Sequence, residues 1–90
     1  MGKFRVEIER LAEDHLRRHY KADNKTTIQR ISTIIGELSE HPYTGTGRPE
    51  QLKHELYGYW SRRINRKDRL IYKVEEDIVL VLVVSAMGHY

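Results

Sequence analysis

The stretch Trp60-Ser61-Arg62-Arg63-Ile64-Asn65-Arg66-Lys67-Asp68-Arg69-Leu70-Ile71-Tyr72-Lys73-Val74 holds two runs of alternating side chains separated by four polar residues. A period of two is that of a strand with one face against a core. Asn65-Arg66-Lys67-Asp68 has no apolar member and carries Asn and Asp at its ends, so it reads as the turn of a hairpin. On the second strand Leu70, Tyr72 and Val74 point one way, and Arg69, Ile71 and Lys73 the other. On the first, Trp60 and Ile64 look inward while Ser61 and Arg63 look outward. Arg62 falls between two core residues, which suggests a place at the sheet edge from which a long side chain can snorkel to water.

Before this hairpin Gly58 marks a turn, and Leu52, His54 and Leu56 share one face of a preceding strand with Lys53 and Glu55 on the other. After the hairpin, Glu75-Glu76-Asp77 turns the chain into Ile78–Val84, an apolar run suited to a strand covered on much of both faces. Upstream the period is helical. Leu11, Ala12, His15, Leu16 and His19 line one face of a helix over about residues 9–21. Asp23 or Asn24 caps a second helix whose stripe is Ile28, Ile31, Ile34, Ile35 and Leu38. Pro42 stops it. Phe4-Arg5-Val6-Glu7-Ile8 alternates as a first strand, and Gly45-Thr46-Gly47-Arg48-Pro49 is a loop. The expected fold is α+β: one domain over residues 1–90, an antiparallel sheet with two N-terminal helices packed on one face.

The 90 residues suffice for one compact core, with 39% hydrophobic and 32% charged side chains, an ordinary balance for a folded domain. Without Cys, disulfide and thiolate chemistry are excluded and a reducing, cytoplasmic setting is expected. The opening residues show no leader-like apolar core, and the run Ile78–Val84 is too short to cross a bilayer, so no membrane partner is expected. The net charge of +3 is unevenly spread. Residues 48–73 carry Arg48, Lys53, Arg62, Arg63, Arg66, Lys67, Arg69 and Lys73 against Glu50, Glu55 and Asp68. Such a local excess is what a polyanion-binding surface needs, although a solvated charged face has the same composition.

Because helices cover one sheet face, the other is free for function, and alternation puts Lys53, Arg63, Arg69 and Lys73 on it. A row of cations this close is relieved by a bound anion, phosphate being the obvious one. Glu50 precedes this face, either as a loop acid pairing a neighbouring Arg or as a functional carboxylate. The chain closes Gly88-His89-Tyr90, either as a frayed end or held by the apolar strand before it. His54, between Leu52 and Leu56, reads as packed or hydrogen-bonded. His15 and His19 have a zinc-compatible spacing but no third ligand to match, so they read as helix packing, and no metal or cofactor is expected. His41 reads as a residue of the helix end.

The ordered string Gly45-x-Gly47-x-Pro49-Glu50-x-Leu52-Lys53-His54-x-Leu56-x-Gly58-x-Trp60-Ser61-Arg62-Arg63-Ile64, then Arg69-Leu70-x-Tyr72 and the terminal His89-Tyr90, resembles the YoeB branch of the RelE superfamily of toxins. The resemblance implies a type II toxin that cleaves messenger RNA in the ribosomal A site and is held inactive by a YefM-like antitoxin covering the basic face. It implies Glu50 as general base, His89 as general acid and Arg69 as transition-state stabiliser. Lys53 and Arg63 would hold the scissile phosphate, and Tyr90 would position the nucleotide. Homodimers are also common in that family.

The chemistry explains the residue types. RNA can be cut by its own 2′-OH if a base takes that proton, an acid protonates the departing 5′-oxygen, and cations meet the added negative charge. Ordinary carboxylate and imidazole pKa values, about 4.3 and about 6.5, make the required pair of states accessible near neutrality. The surrounding cations disfavour protonated His89, and ribosomal RNA phosphates would restore it. Two other readings remain open on the residues alone. One is a toxin of the same fold that binds a protein target such as gyrase; the other is a basic nucleic-acid-binding module without catalysis.

Overall fold

The computed structural model describes residues 3–88. The elements are β1 (Arg5–Ile8), α1 (Arg10–Ala22), α2 (Lys25–Leu38), β2 (Glu50–Gln51), β3 (Tyr59–Arg63), β4 (Arg69–Glu75) and β5 (Leu80–Ser85), with single 3-10 turns at His54–Leu56 and Glu76–Ile78. The strands form one sheet in the order β1-β5-β4-β3-β2. The architecture is α+β, as expected, but the sheet is mixed: β2 to β5 are antiparallel neighbours, and β1 runs parallel to β5 with Arg5 opposite Leu80 and Ile8 opposite Val83. Alternation in residues 4–8 records which face is buried and carries no information on strand direction. A parallel pair needs a long connection, and everything from α1 to β4 supplies one.

The break between the two helices has local causes. Asn24 caps α2, its side-chain oxygen accepting the Thr27 N–H at 3.0 Å. Asp23 adopts a left-handed conformation at φ 58°, and its N–H bonds back to the His19 and Tyr20 carbonyls, closing α1. Ile31, Ile34 and Leu38 of α2 and Ala12 of α1 meet Phe4, Ile64, Leu70, Tyr72, Val81, Val83 and Ala86 in one core. Leu11, expected in that stripe, is 57% exposed. The buried arc of α1 centres on Ala12, Leu16 and His19, and Leu11 lies about 100° around the helix from Ala12.

The strand expected over Leu52–Leu56 does not form, and β5 starts two residues later than its apolar run suggests. Glu50 and Gln51 pair with β3, Leu52 adds one N–H bond to the Tyr59 carbonyl at 2.9 Å, and residues His54–Leu56 form a 3-10 turn in which His54 has φ 59°. Alternation over only Leu52, His54 and Leu56 is too short a run to tell a strand from a turn. His54 is therefore exposed and not packed. Likewise Ile78 lies in the turn before β5, 61% exposed, because Glu75-Glu76-Asp77 continues into a 3-10 turn closed by Val79 at φ 53°.

Candidate nucleic-acid cleavage site

The sheet face away from the helices is assembled by pairing register. Glu50 stands opposite Ser61, Ser61 opposite Ile71, and Arg63 opposite Arg69. Side chains opposite one another in an antiparallel pair are about 5 Å apart at Cβ, so these residues converge. Arg69 Nη1 lies 3.7 Å from Glu50 Oε1, with the Arg69 side chain largely shielded and the Glu50 side chain 65% exposed. A concavity of about 310 Å³ is lined by Arg48, Pro49, Glu50, Arg63 and Arg69. A second of about 430 Å³ shares Glu50 and Arg69 and adds Lys53 and His54. One carboxylate thus faces four cationic side chains where the two hollows meet.

Of the expected site residues, Glu50, Arg63, Arg69 and Lys53 come together here, Lys53 from the turn after β2 and not from a strand. Lys73 does not join them. It pairs across the sheet with Tyr59, stacks its ammonium 5.6 Å from that ring and lies 3.3 Å from Glu75. His89 and Tyr90 lie outside the described residues. Arg48 and His54 were not foreseen at the site. Arg48 could have been suspected from its place in the Gly47-Arg48-Pro49 loop beside Glu50, while the apolar neighbours of His54 pointed the wrong way.

The loop carrying Arg48 and Glu50 is held by a buried cation. Arg62 shares the helix-facing side of β3 with Trp60, but it does not snorkel: its side chain is fully buried. Its five N–H donors have five acceptors: Tyr72 Oη at 3.1 Å, Glu37 Oε1 at 2.7 Å, and the carbonyls of His41, Thr44 and Thr46 at 2.9, 2.8 and 3.3 Å. Glu37 also accepts the Thr46 N–H and hydroxyl at 2.8 and 2.7 Å, and Tyr72 Oη donates to the Pro42 carbonyl at 2.6 Å. Burial opposes ionisation of Glu37, but the Thr46 hydrogen bonds and the Arg62 guanidinium together hold its carboxyl below the ordinary value. Residues 41–47 are thereby fixed to the sheet. Gly47 completes the seam, its carbonyl accepting the Arg63 N–H at 2.7 Å. At φ 87° with the Arg63 carbonyl 2.8 Å from where a Cβ would sit, only glycine fits.

The histidines of α1 serve packing, as expected: His15 and His19 both bond to the backbone of Ala86. Among the described residues no cluster of three or more His, Cys, Asp or Glu could hold a metal ion, and no helix is long and apolar enough to cross a membrane. A roomier hollow of about 570 Å³ lies between the helices, the β3–β4 turn and Gly88, away from Glu50. The chemistry-bearing groups define the site; volume does not.

Residues 8–90 match the family model of the YoeB-like toxin of bacterial type II toxin–antitoxin systems. The toxin YoeB of Mycobacterium bovis is 48% identical over 69 residues, 77% of this chain and 78% of that protein. The structure of the YoeB dimer from Staphylococcus aureus superposes with a TM-score of 0.81 at 27% identity, covering 99% of this chain and 100% of the other. The YoeB–YefM complex from the same organism gives 0.77 at 28% identity, with coverage of 99% and 100%.

Proposed function

The chain belongs to the YoeB-like toxins of bacterial type II toxin–antitoxin systems, and from that premise we propose that it is an endoribonuclease cutting messenger RNA in the ribosomal A site by metal-independent acid–base catalysis. The observation that carries the reading is the meeting of Glu50 and Arg69, 3.7 Å apart, at the junction of two cation-lined hollows on the open sheet face.

In this mechanism the scissile phosphate enters between Arg63, Lys53 and Arg69. It competes with Glu50 for the Arg69 guanidinium, which frees the carboxylate to accept the 2′-OH proton. The 2′-oxygen attacks phosphorus, Arg69 meets the charge that develops on the phosphoryl oxygens, and His89 delivers a proton to the departing 5′-oxygen. Tyr90 stacks on a base, an interaction worth about 1–3 kcal/mol in single-strand binders. The upstream product carries a 2′,3′-cyclic phosphate. This chemistry belongs in the cytoplasm, with ribosomes and messenger RNA as targets. A YefM-like antitoxin, acidic where it covers the basic face, keeps the toxin silent, in keeping with the YoeB–YefM complex of the S. aureus relative; pairing into a homodimer is in keeping with that relative's dimer.

Mapping RNA ends after adding the protein to translating ribosomes and, separately, to naked messenger RNA tests the reading. Cuts at discrete positions are expected on ribosomes, with far weaker cutting of naked RNA that acidic buffer partly rescues by protonating His89. Equal cutting of both at neutral pH contradicts a role for ribosomal phosphates in charging the acid. Residues appended directly after Tyr90 are expected to depress cleavage while the thermal unfolding midpoint stays put; full activity of such a protein removes base stacking by Tyr90 from the mechanism.

A further inference from the structure

The segment leading to the C-terminal dipeptide is held by both of its flanking elements. From α1, His15 Nδ1 accepts the Ala86 N–H at 3.1 Å, and His19 Nε2 donates to the Ala86 carbonyl at 2.7 Å. Burial, with Arg18 nearby, lowers the pKa of His15, which keeps its acceptor form available near neutrality. From the β3–β4 turn, Asp68 Oδ1 accepts the Gly88 N–H at 2.8 Å, and the Arg69 N–H donates to the Gly88 carbonyl at 3.0 Å. Ala86 and Gly88 thus have both polar backbone groups bonded within three residues of the last strand. Chain ends ordinarily fray because nothing ties them down. Here β5 also carries an extra residue opposite the Ile71/Tyr72 step, a bulge just ahead of this clamp.

Asp68 is the unusual member. It is 7% exposed, and none of the ion pairs among the described residues includes it. A shielded carboxylate is costly unless hydrogen bonds satisfy it, and its side chain is aimed at the Gly88 N–H. The next residue, Arg69, grips the other side of the same glycine by its backbone while its guanidinium lies at Glu50. One dipeptide, Asp68-Arg69, therefore links the point from which His89 is built to the cationic centre of the cleft.

We propose that Asp68 is a positioning residue: with His15 and His19 it fixes the Ala86–Gly88 backbone, the stretch of chain that leads to the general acid, against the residue that carries the Arg69 guanidinium. This rests on the reading of His89 as the general acid. Misplacing a reacting group by about 1 Å can cost about 10²-fold in rate, so loss of the clamp should act on the chemical step and not on ribosome binding.

The test compares Asp68→Ala, Asp68→Asn, His15→Leu and His89→Gln in single-turnover cleavage on programmed ribosomes, with exchange of the Gly88 amide followed by NMR. Asp68→Ala is expected to lower the rate at saturation about 10- to 100-fold with unchanged half-saturation, and to expose the Gly88 amide to exchange. Asp68→Asn, which still offers an oxygen to that N–H, is expected to restore most of the rate. In the His89→Gln background Asp68→Ala should change the residual rate little. His15→Leu, acting through Ala86, gives the same rate-specific loss and serves if Asp68→Ala does not fold. An equal loss in both backgrounds, or a Gly88 amide that stays protected in Asp68→Ala, overturns the proposal. If His89→Gln cleaves like the wild type, the general-acid reading fails instead, and Gly88 exchange still judges the clamp.

Discussion

Glu50→Gln and His89→Gln are each expected to lower the single-turnover rate of messenger RNA cleavage by about 10²–10⁴-fold, the range that general base or acid catalysis contributes. Glutamine is close in size to each side chain and stays polar, but it takes no proton from a 2′-OH and delivers none to a leaving oxygen. Glu50 is 65% exposed on its side chain, and its ion pair with Arg69 is long at 3.7 Å. An exposed pair of that kind contributes roughly 0–1 kcal/mol to stability, so the Glu50 variant should unfold at nearly the same temperature as the wild type. The two substitutions combined should cost much less than the product of the single effects, because base and acid serve one transition state. A toxin that only bound a protein target would keep its action through both changes, and a non-catalytic RNA binder would show no cleavage to lose.

Glu37→Gln is expected to destabilise the protein by about 3–5 kcal/mol, the usual penalty for removing one partner of a buried ion pair. Arg62 is fully buried, and the substitution leaves its charge without a counterion. With total stabilities of about 5–15 kcal/mol in small domains, the variant should unfold at far lower urea than the wild type. The same pair gives stability a pH dependence of known sign. The folded state holds the Glu37 carboxyl below its ordinary value, so its contribution is fully present above the ordinary carboxylate range and is lost as pH falls through the lowered folded value. Urea midpoints measured from neutral pH into the acid range should fall more steeply for the wild type than for Glu37→Gln. Parallel profiles would mean that Glu37 and Arg62 are not coupled as described. Cleavage should fall along with stability, because this network fixes residues 41–47, which carry the chain to Arg48 and Glu50.

Helical stripes and the β3–β4 hairpin were legible because periodicity reports burial directly. Ile31, Ile34 and Leu38, and the inward set Leu70, Tyr72 and Trp60, follow from spacing alone. Strand direction was not, since Val6 and Ile8 alternate identically beside a parallel or an antiparallel neighbour. Arg62 escaped for a different reason: its acceptors are mostly main-chain carbonyls from a loop about twenty residues upstream, and backbone groups leave no mark in side-chain patterns. At the site, the types and order of Glu50, Lys53, Arg63 and Arg69 were readable, whereas the turn at His54 that swings Lys53 and His54 toward Glu50 was hidden by the Leu52/Leu56 spacing. The grip of Asp68 on Gly88 joins residues 20 positions apart and could be seen only in three dimensions.

Cleavage by the RNA's own 2′-OH is most directly tested with two ribosome-bound messages that differ only at the nucleotide 5′ to the mapped cut, one carrying ribose there and the other 2′-deoxyribose. Cutting of the first, leaving a 2′,3′-cyclic phosphate, and an intact second message are expected. Equal cutting of both, or a ribose product ending in a free 3′-hydroxyl, would contradict attack by the 2′-OH.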